Sequence, residues 1–434
     1  MLITARAGSG KTRTLCAKAA LSIQDEGLYP DQVMILAFNK AAALTVKQRL
    51  EEGGLIKDYR NARTFHSLAY QLVKPRKKFR GFLLSAAAER AEPDFPDRKQ
   101  PTTKGTTMLS FENDYSCAAT PEIIARLAET ATNQYPGYGT DDVCESAKAK
   151  IREACACPDA EIFFLVGGTQ TNQVVIDAIT PPYAGVVAAT TGHVNVHEAG
   201  AIEFTGHKVL TLPHHDGKID ADELDEYCAT FYADGNYTHM VFPGCVYISQ
   251  ATEYGTLYTL AELEAIRKVC TKYDMPLFID GARLGYALTA TGNDVTIEDI
   301  ARLADVFYIG GTKVGAMFGE AVVFTHGNMP KHFVTIVKQH GALLAKGWLL
   351  GLQFDTLFTD GLYLRIARHA NDAADRIRKV LVERGYTLTF DAPTNQIFVT
   401  LDNETSERLQ RDVRLGFTEK ADDTHTVMRI CTSW

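Results

Sequence analysis

The sequence predicts an α/β protein: a mostly parallel sheet covered by helices on both faces, preceded by a shorter segment of different make-up. Three observations predict this. From about residue 108 onward, short apolar runs alternate with segments of helical periodicity, the pattern of βαβ units. Ionisable residues stand at the ends of those runs, where open α/β sheets place their ligand sites. Net charge divides at the same point: residues 1–107 carry 19 Lys and Arg against 10 Asp and Glu, whereas 108–434 carry 26 against 43. A chain of 434 residues has room for two or three domains. No apolar run reaches the roughly 20 residues that span a bilayer, and Arg6, Lys11, Arg13 and Lys18 interrupt any signal-peptide core. Nine scattered cysteines, an odd number, point to reduced thiols in the cytoplasm. Cys155 and Cys157 lack a zinc spacing and no Cys/His pair follows them, so no metal site is expected.

The chain opens with ITARAGSGKTRT, in which Gly8, Gly10, Lys11 and Thr12 follow the phosphate-loop pattern with Ala5 where the first glycine usually stands. Backbone N–H groups of such a loop cradle phosphates, the lysine reaches the terminal ones and the threonine binds magnesium. ATP with magnesium is therefore the candidate ligand. VMILAFNKAAALTVKQRL and ARTFHSLAYQLV follow. Together these stretches resemble the first blocks of superfamily-1 DNA helicases over about residues 1–90, a partial P-loop NTPase segment. The resemblance implies that Phe38, Asn39, Lys40, Thr64, Phe65 and His66 lie near single-stranded DNA, with Phe65 and His66 stacking on bases. The carboxylates that hold magnesium and activate water, and the later arginine motifs, have no counterpart here. Helicase activity is therefore not expected; for residues 1–107 the expectations are weak nucleotide or nucleic-acid binding or, as the alternative, a disordered or misfolded basic appendage. Residues 91–107, rich in Pro, Asp, Lys and Thr, read as a linker.

In the main body, strands are expected at Glu161–Val166, Ala184–Ala189, Val209–Leu212, His239–Phe242, Leu277–Ile279 and Val306–Ile309. Helices are expected over PEIIARLAETA after Thr120, over TLAELEAIRKVC, where Thr259 and Glu262 form a capping-box pair, and over TIEDIARLA. From about Asp355 a helix leads to short strands, TLTF and QIFVTL, in a smaller C-terminal domain. Asp280 ends one strand, and Lys313 sits in a Gly-Gly-Thr-Lys turn that ends the next. Pyridoxal phosphate chemistry needs such a pair: the lysine forms the Schiff base, and the aspartate faces the ring nitrogen. A helix cap and a plain turn are the alternative reading of the same residues. Gly168 and Thr169, opening a helix after the first strand, suit a phosphate. His193 suits stacking on a planar ring, and His197 suits general-base work; surface or capping histidines are the alternative.

FENDYSCAATPEI, YGTDD, LVGGTQTN, GHVNVHEAGA, YISQATEYGTLYT, FIDGARLGYAL, GGTKVGA, GALLAKGWLLG and VMRICTSW occur in register. On these motifs, residues from about Phe111 to Trp434 resemble the low-specificity L-threonine aldolases of the β-eliminating lyase family, pyridoxal phosphate fold type I. The resemblance implies a large cofactor-binding domain over 108–350 and a small one over 351–434, cut short because the family continues into a last helix. It implies pyridoxal 5'-phosphate on Lys313, paired to Asp280, with its phosphate at Gly168 and Thr169 and its ring under His193. Arg429 would grip the substrate carboxylate, Arg283 would lie near that carboxylate or the ring oxygen, and Asn113 would touch substrate. His193 or His197 would be the base. The implied reaction is retro-aldol cleavage of L-threonine or L-allo-threonine to glycine and acetaldehyde in a homodimer or homotetramer. His340 and Trp348 depart from the basic residues expected near the subunit interface. The competing expectations are a different β-hydroxy amino acid, a nucleic-acid-dependent ATPase and an inactive fusion.

Overall fold

The structure, a computed structural model, describes residues 109–434 and three short strands nearer the N-terminus. The chain divides into two compact units, Met1–Thr103 and Lys104–Trp434. In the first, β1 (Leu2–Ile3), β2 (Met34–Ala37) and β3 (Ala62–Thr64) form a parallel sheet in the order β1-β2-β3. The phosphate-loop residues Gly8, Gly10, Lys11 and Thr12 lie outside the described residues, as do Phe38, Asn39, Lys40, Phe65 and His66.

The second unit begins at β4 (Leu109–Phe111). Its main sheet comprises β5 (Glu161–Leu165), β6 (Ala184–Ala189), β7 (Val209–Leu212), β8 (Phe242–Ser249), β9 (Leu277–Asp280), β10 (Val306–Gly310) and β11 (Glu320–Phe324). Their order is β5-β11-β10-β9-β8-β6-β7, and every pairing is parallel except those of β11, which runs against both neighbours. A second sheet of β12 (Gln396–Asp402), β13 (Val413–Lys420) and β14 (His425–Cys431) has the order β12-β14-β13-β4. Thus β4, at the start of the unit, completes the sheet at its end.

Parallel neighbours require crossovers. Helix Leu260–Lys272 joins β8 to β9, and helix Ile297–Leu303 joins β9 to β10, each started by a capping box, Thr259 with Glu262 and Thr296 with Asp299. Leu263, Ile266, Val269 and Cys270 bury one stripe of the first helix at helical spacing. Helix Gly168–Ile179 covers the opposite face through Val174, Val175 and Ile176. Strand alternation sorts the side chains between these layers. Leu277, Ile279, Phe307 and Ile309 enter one core cluster, whereas Tyr247, Phe278, Val306 and Tyr308 enter the other. Asp280 has the parity of Phe278, which aims it toward Tyr247 and Tyr308.

Three local expectations are corrected. β8 starts at Phe242, where the expected strand ended, and His239 closes a 3-10 turn, Tyr237–His239. The strand continues through Pro243-Gly244, where a Cβ on Gly244 would sit 2.5 Å from that of Ala184, so the neighbouring strand needs glycine there. The C-terminal helix is two, Trp348–Leu357 and Leu362–Glu383, divided at Gly361, so Asp355 falls in the first. TLTF is not a strand; Leu388 makes a single bridge to Val399, and the partner of QIFVTL is β14.

Candidate active site

A cavity of about 300 Å³ opens at the C-terminal ends of β8, β9 and β10. Asp280, Lys313, Gly168, Thr169, His193 and Arg283 all border it. Asp280 ends β9, and the chain turns immediately at Gly281, where any Cβ would lie 1.9 Å from the Tyr308 carbonyl oxygen. The Asp280 carboxylate is 4% exposed. It accepts from the Tyr247 and Tyr308 hydroxyls at 2.5 Å each, from Asn172 Nδ2 at 3.1 Å and from the Ala282 N–H at 2.9 Å. Burial pulls its pKa upward, but the two tyrosine hydroxyls and neighbouring His193 outweigh that, leaving it below the usual carboxylate value. The result is a buried negative charge whose protein partners are all neutral donors.

Lys313 lies in the turn between β10 and β11. Burial, then the Arg283 guanidinium, hold its amine below the ordinary lysine pKa, against the pull of Asp114, Asp280 and Glu320. Tyr286 donates its hydroxyl to the Lys313 carbonyl at 2.5 Å and fixes the turn. Glu320, at the start of β11, accepts from the Gly311 N–H at 3.0 Å; burial pushes its carboxyl up to about 8. Opposite, helix Gly168–Ile179 begins at the cavity with no side-chain cap on Gly167, leaving its first N–H groups free for an anion.

His193 heads the short helix His193–Val196. Its Nδ1 lies 2.7 Å from Glu198 Oε1, and its backbone N–H donates to Glu253 Oε1 at 3.0 Å. His197 is exposed and does not border the cavity; its ring centroid stands 5.6 Å from that of His193. Partial desolvation by its neighbours, then His193 and Arg429, lower its pKa from the usual imidazole value.

Arg283 is largely covered, its side chain 11% exposed, and already paired, Nε and Nη2 donating to Asp114 at 2.7 and 3.1 Å. Asn113 does not border the cavity; its Oδ1 closes a local turn with the Tyr115 N–H and the Ser116 hydroxyl. Arg429, on β14, donates to the Glu112 carbonyl at 3.1 Å and lies outside the cavity lining, with its Nε buried and without a partner. His340 bonds Asp177 at 2.8 Å. The sequence reading assigned no role to Asp114, Asn172, Glu198, Glu253 or Glu320. Glu198 lay within the quoted GHVNVHEAGA block, five residues after His193, but its contact with that ring depends on the helix between them.

The profile of the beta-eliminating lyases matches residues 111–412. The chain belongs to the beta-eliminating lyase family. Within it, the low-specificity L-threonine aldolase of Pseudomonas sp. (strain NCIMB 10558) is 31% identical over 305 residues, covering 69% of this chain and 86% of that protein. A solved Leishmania major threonine aldolase superposes with a TM-score of 0.73 at 42% identity, covering 75% of this beta-eliminating lyase and 94% of the Leishmania chain. The N-terminal part is similar to other proteins. The profile of the UvrD/REP helicase N-terminal domain matches residues 1–148, and DNA helicase IV of Escherichia coli (strain K12) is 37% identical over 78 residues, 11% of its length.

Proposed function

We propose that residues 104–434 form a pyridoxal phosphate-dependent aldehyde lyase that cleaves L-threonine or L-allo-threonine to glycine and acetaldehyde. The observation that carries this reading is the meeting of Asp280 and Lys313 at one cavity with the open helix N-terminus at Gly168 and Thr169. Those residues fit the cofactor. A buried carboxylate bonded only to neutral donors suits a protonated pyridine nitrogen, and free N–H groups suit a phosphate. Lys313 would hold the carbonyl carbon, and His193 would cover the ring. When bound, the cofactor supplies an electron sink for the cleaved Cα–Cβ bond.

The residues of this chain do the rest. Arg429 would grip the substrate carboxylate with its planar cation, and it reaches the cavity only by leaving its present contact with the Glu112 carbonyl. Arg283, tied to Asp114, holds a fixed positive charge beside Lys313 and keeps that amine less basic. His193 takes the proton of the β-hydroxyl at Nε2, with His197 the alternative base one ring away. Asn113 reaches substrate only by leaving its present turn. The test is acetaldehyde release from L-threonine and L-allo-threonine by the cofactor-loaded chain. Lys313→Ala should lose both that activity and the visible absorbance of the lysine-bound cofactor; a variant keeping the band would refute the lysine assignment.

The helicase-like similarity of residues 1–148 favours a second, separate reading, nucleotide or single-stranded DNA binding by the N-terminal unit without strand separation. Phosphate release with and without single-stranded DNA tests it, and DNA-stimulated turnover would restore a motor function. We place the working boundaries at 1–90, 91–107, 108–350 and 351–434, and the enzyme in the cytoplasm as a homodimer or homotetramer.

A further inference from the structure

We propose that Glu198 is a positioning residue for His193, fixing the imidazole as the tautomer with its proton on Nδ1 and its lone pair on Nε2. The argument is one of counting donors and acceptors. Glu198 is 4% exposed, and its Oε1 meets two nitrogens at 2.7 Å each, His193 Nδ1 and Asn172 Nδ2. The Asn172 amide also donates to Asp280 Oδ2 at 3.1 Å. An amide that faces two carboxylates must present its NH₂ group, because the reversed orientation would set oxygen against oxygen. Oε1 of Glu198 therefore accepts from Asn172, while Oε2 is buried and without a partner. As a carboxylate Glu198 can only accept, so His193 Nδ1 is the donor.

His193 Nε2 makes no hydrogen bond among the described residues and borders the cavity; in the neutral imidazole it therefore carries the lone pair. The backbone of His193 is pinned as well: Glu253 Oε1 accepts its N–H at 3.0 Å and the Ser249 hydroxyl at 2.8 Å. Because Asn172 touches both Glu198 and Asp280, one chain of contacts ties the base to the carboxylate opposite Lys313. Preorganisation of this kind removes the need to select a tautomer during turnover.

The functional half of this proposal rests on the lyase reading; the tautomer half does not. The experiment uses the cofactor-loaded full chain labelled with ¹⁵N-histidine, the His193 signals being assigned by comparison with His193→Asn. Nδ1 should be protonated and Nε2 not, and the reverse pattern overturns the proposal. Glu198→Leu, which keeps bulk but removes the acceptor, should mix the tautomers and lower kcat for L-threonine about 10²-fold, with KM within about twofold. Glu198→Gln, which still offers Oε1, should restore the Nδ1–H tautomer and most of kcat. A Leu variant with unchanged kcat, or a Gln variant as poor as Leu, overturns the positioning role. If Leu fails to take up cofactor, the wild-type tautomer and the Gln variant still decide. Absence of acetaldehyde release by the wild type would remove the lyase reading while leaving the tautomer assignment to its own measurement.

Discussion

Asp280 keeps its charge where burial favours the neutral acid, because two tyrosine hydroxyls and two N–H groups donate to it. The same accounting governs the Arg283–Asp114 pair. Burial alone would raise the Asp114 pKa, but Arg283 and then Lys313 hold it below the usual carboxylate value. Replacing Asp114 with Asn strands a largely covered guanidinium, and a loss of about 3–5 kcal/mol of stability is expected from urea unfolding of the cofactor-free protein. Arg429→Lys should raise KM for L-threonine about tenfold or more, because an ammonium cannot reproduce a two-pronged grip. Glu320 provides a pH test. Its carboxyl is raised to about 8, so between the unfolded value near 4.5 and 8 the folded state binds the extra proton. Stability from this group is thus lost as pH rises through that window. Cofactor-free Glu320→Gln should gain on wild type by up to about 1.4 kcal/mol per pH unit there, read as a widening gap between the two thermal midpoints.

At the scale of elements, the site depends on how closely β9 and β10 approach where each strand ends. Gly281 must be glycine because the Tyr308 carbonyl occupies the place of a Cβ, and the Gly310 N–H donates to the Gly281 carbonyl at 2.9 Å. Gly281→Ala should therefore cost about 3 kcal/mol or more and displace Asp280, lowering cofactor affinity as well as the unfolding midpoint. Much at this scale was legible. Alternating apolar runs marked β5, β6, β7, β9 and β10, and Thr259 with Glu262 marked a helix start that the capping box explains. β8 was misplaced because the expected strand stopped at Phe242, whereas the strand runs on through Pro243-Gly244, where glycine lets β6 approach. β11 passed unread because a five-residue antiparallel strand between β10 and β5 carries no helix beside it to announce it.

Across the whole chain, two units of unlike charge and ancestry share one polypeptide. The acidic unit contains every residue of the candidate site. A chain beginning at Lys104 should accordingly fold, bind cofactor and release acetaldehyde at the rate of the full chain; a loss beyond about tenfold, order-of-magnitude, would show that residues 1–103 contribute to the site. Sequence by itself determined the chemistry available: Asp280, Lys313, Gly168, Thr169 and His193 stand where strands end and helices begin, because local periodicity places those ends. Tertiary structure alone decided which acids serve them. Asp114, Glu198, Glu253 and Glu320 gain their roles from partners on other segments. Glu198 meets Asn172 across 26 positions, and Arg283 meets Asp114 across 169. A burial that changes a carboxyl's charge and a hydrogen bond that fixes a tautomer are both properties of packed neighbours, which no local pattern along the chain encodes.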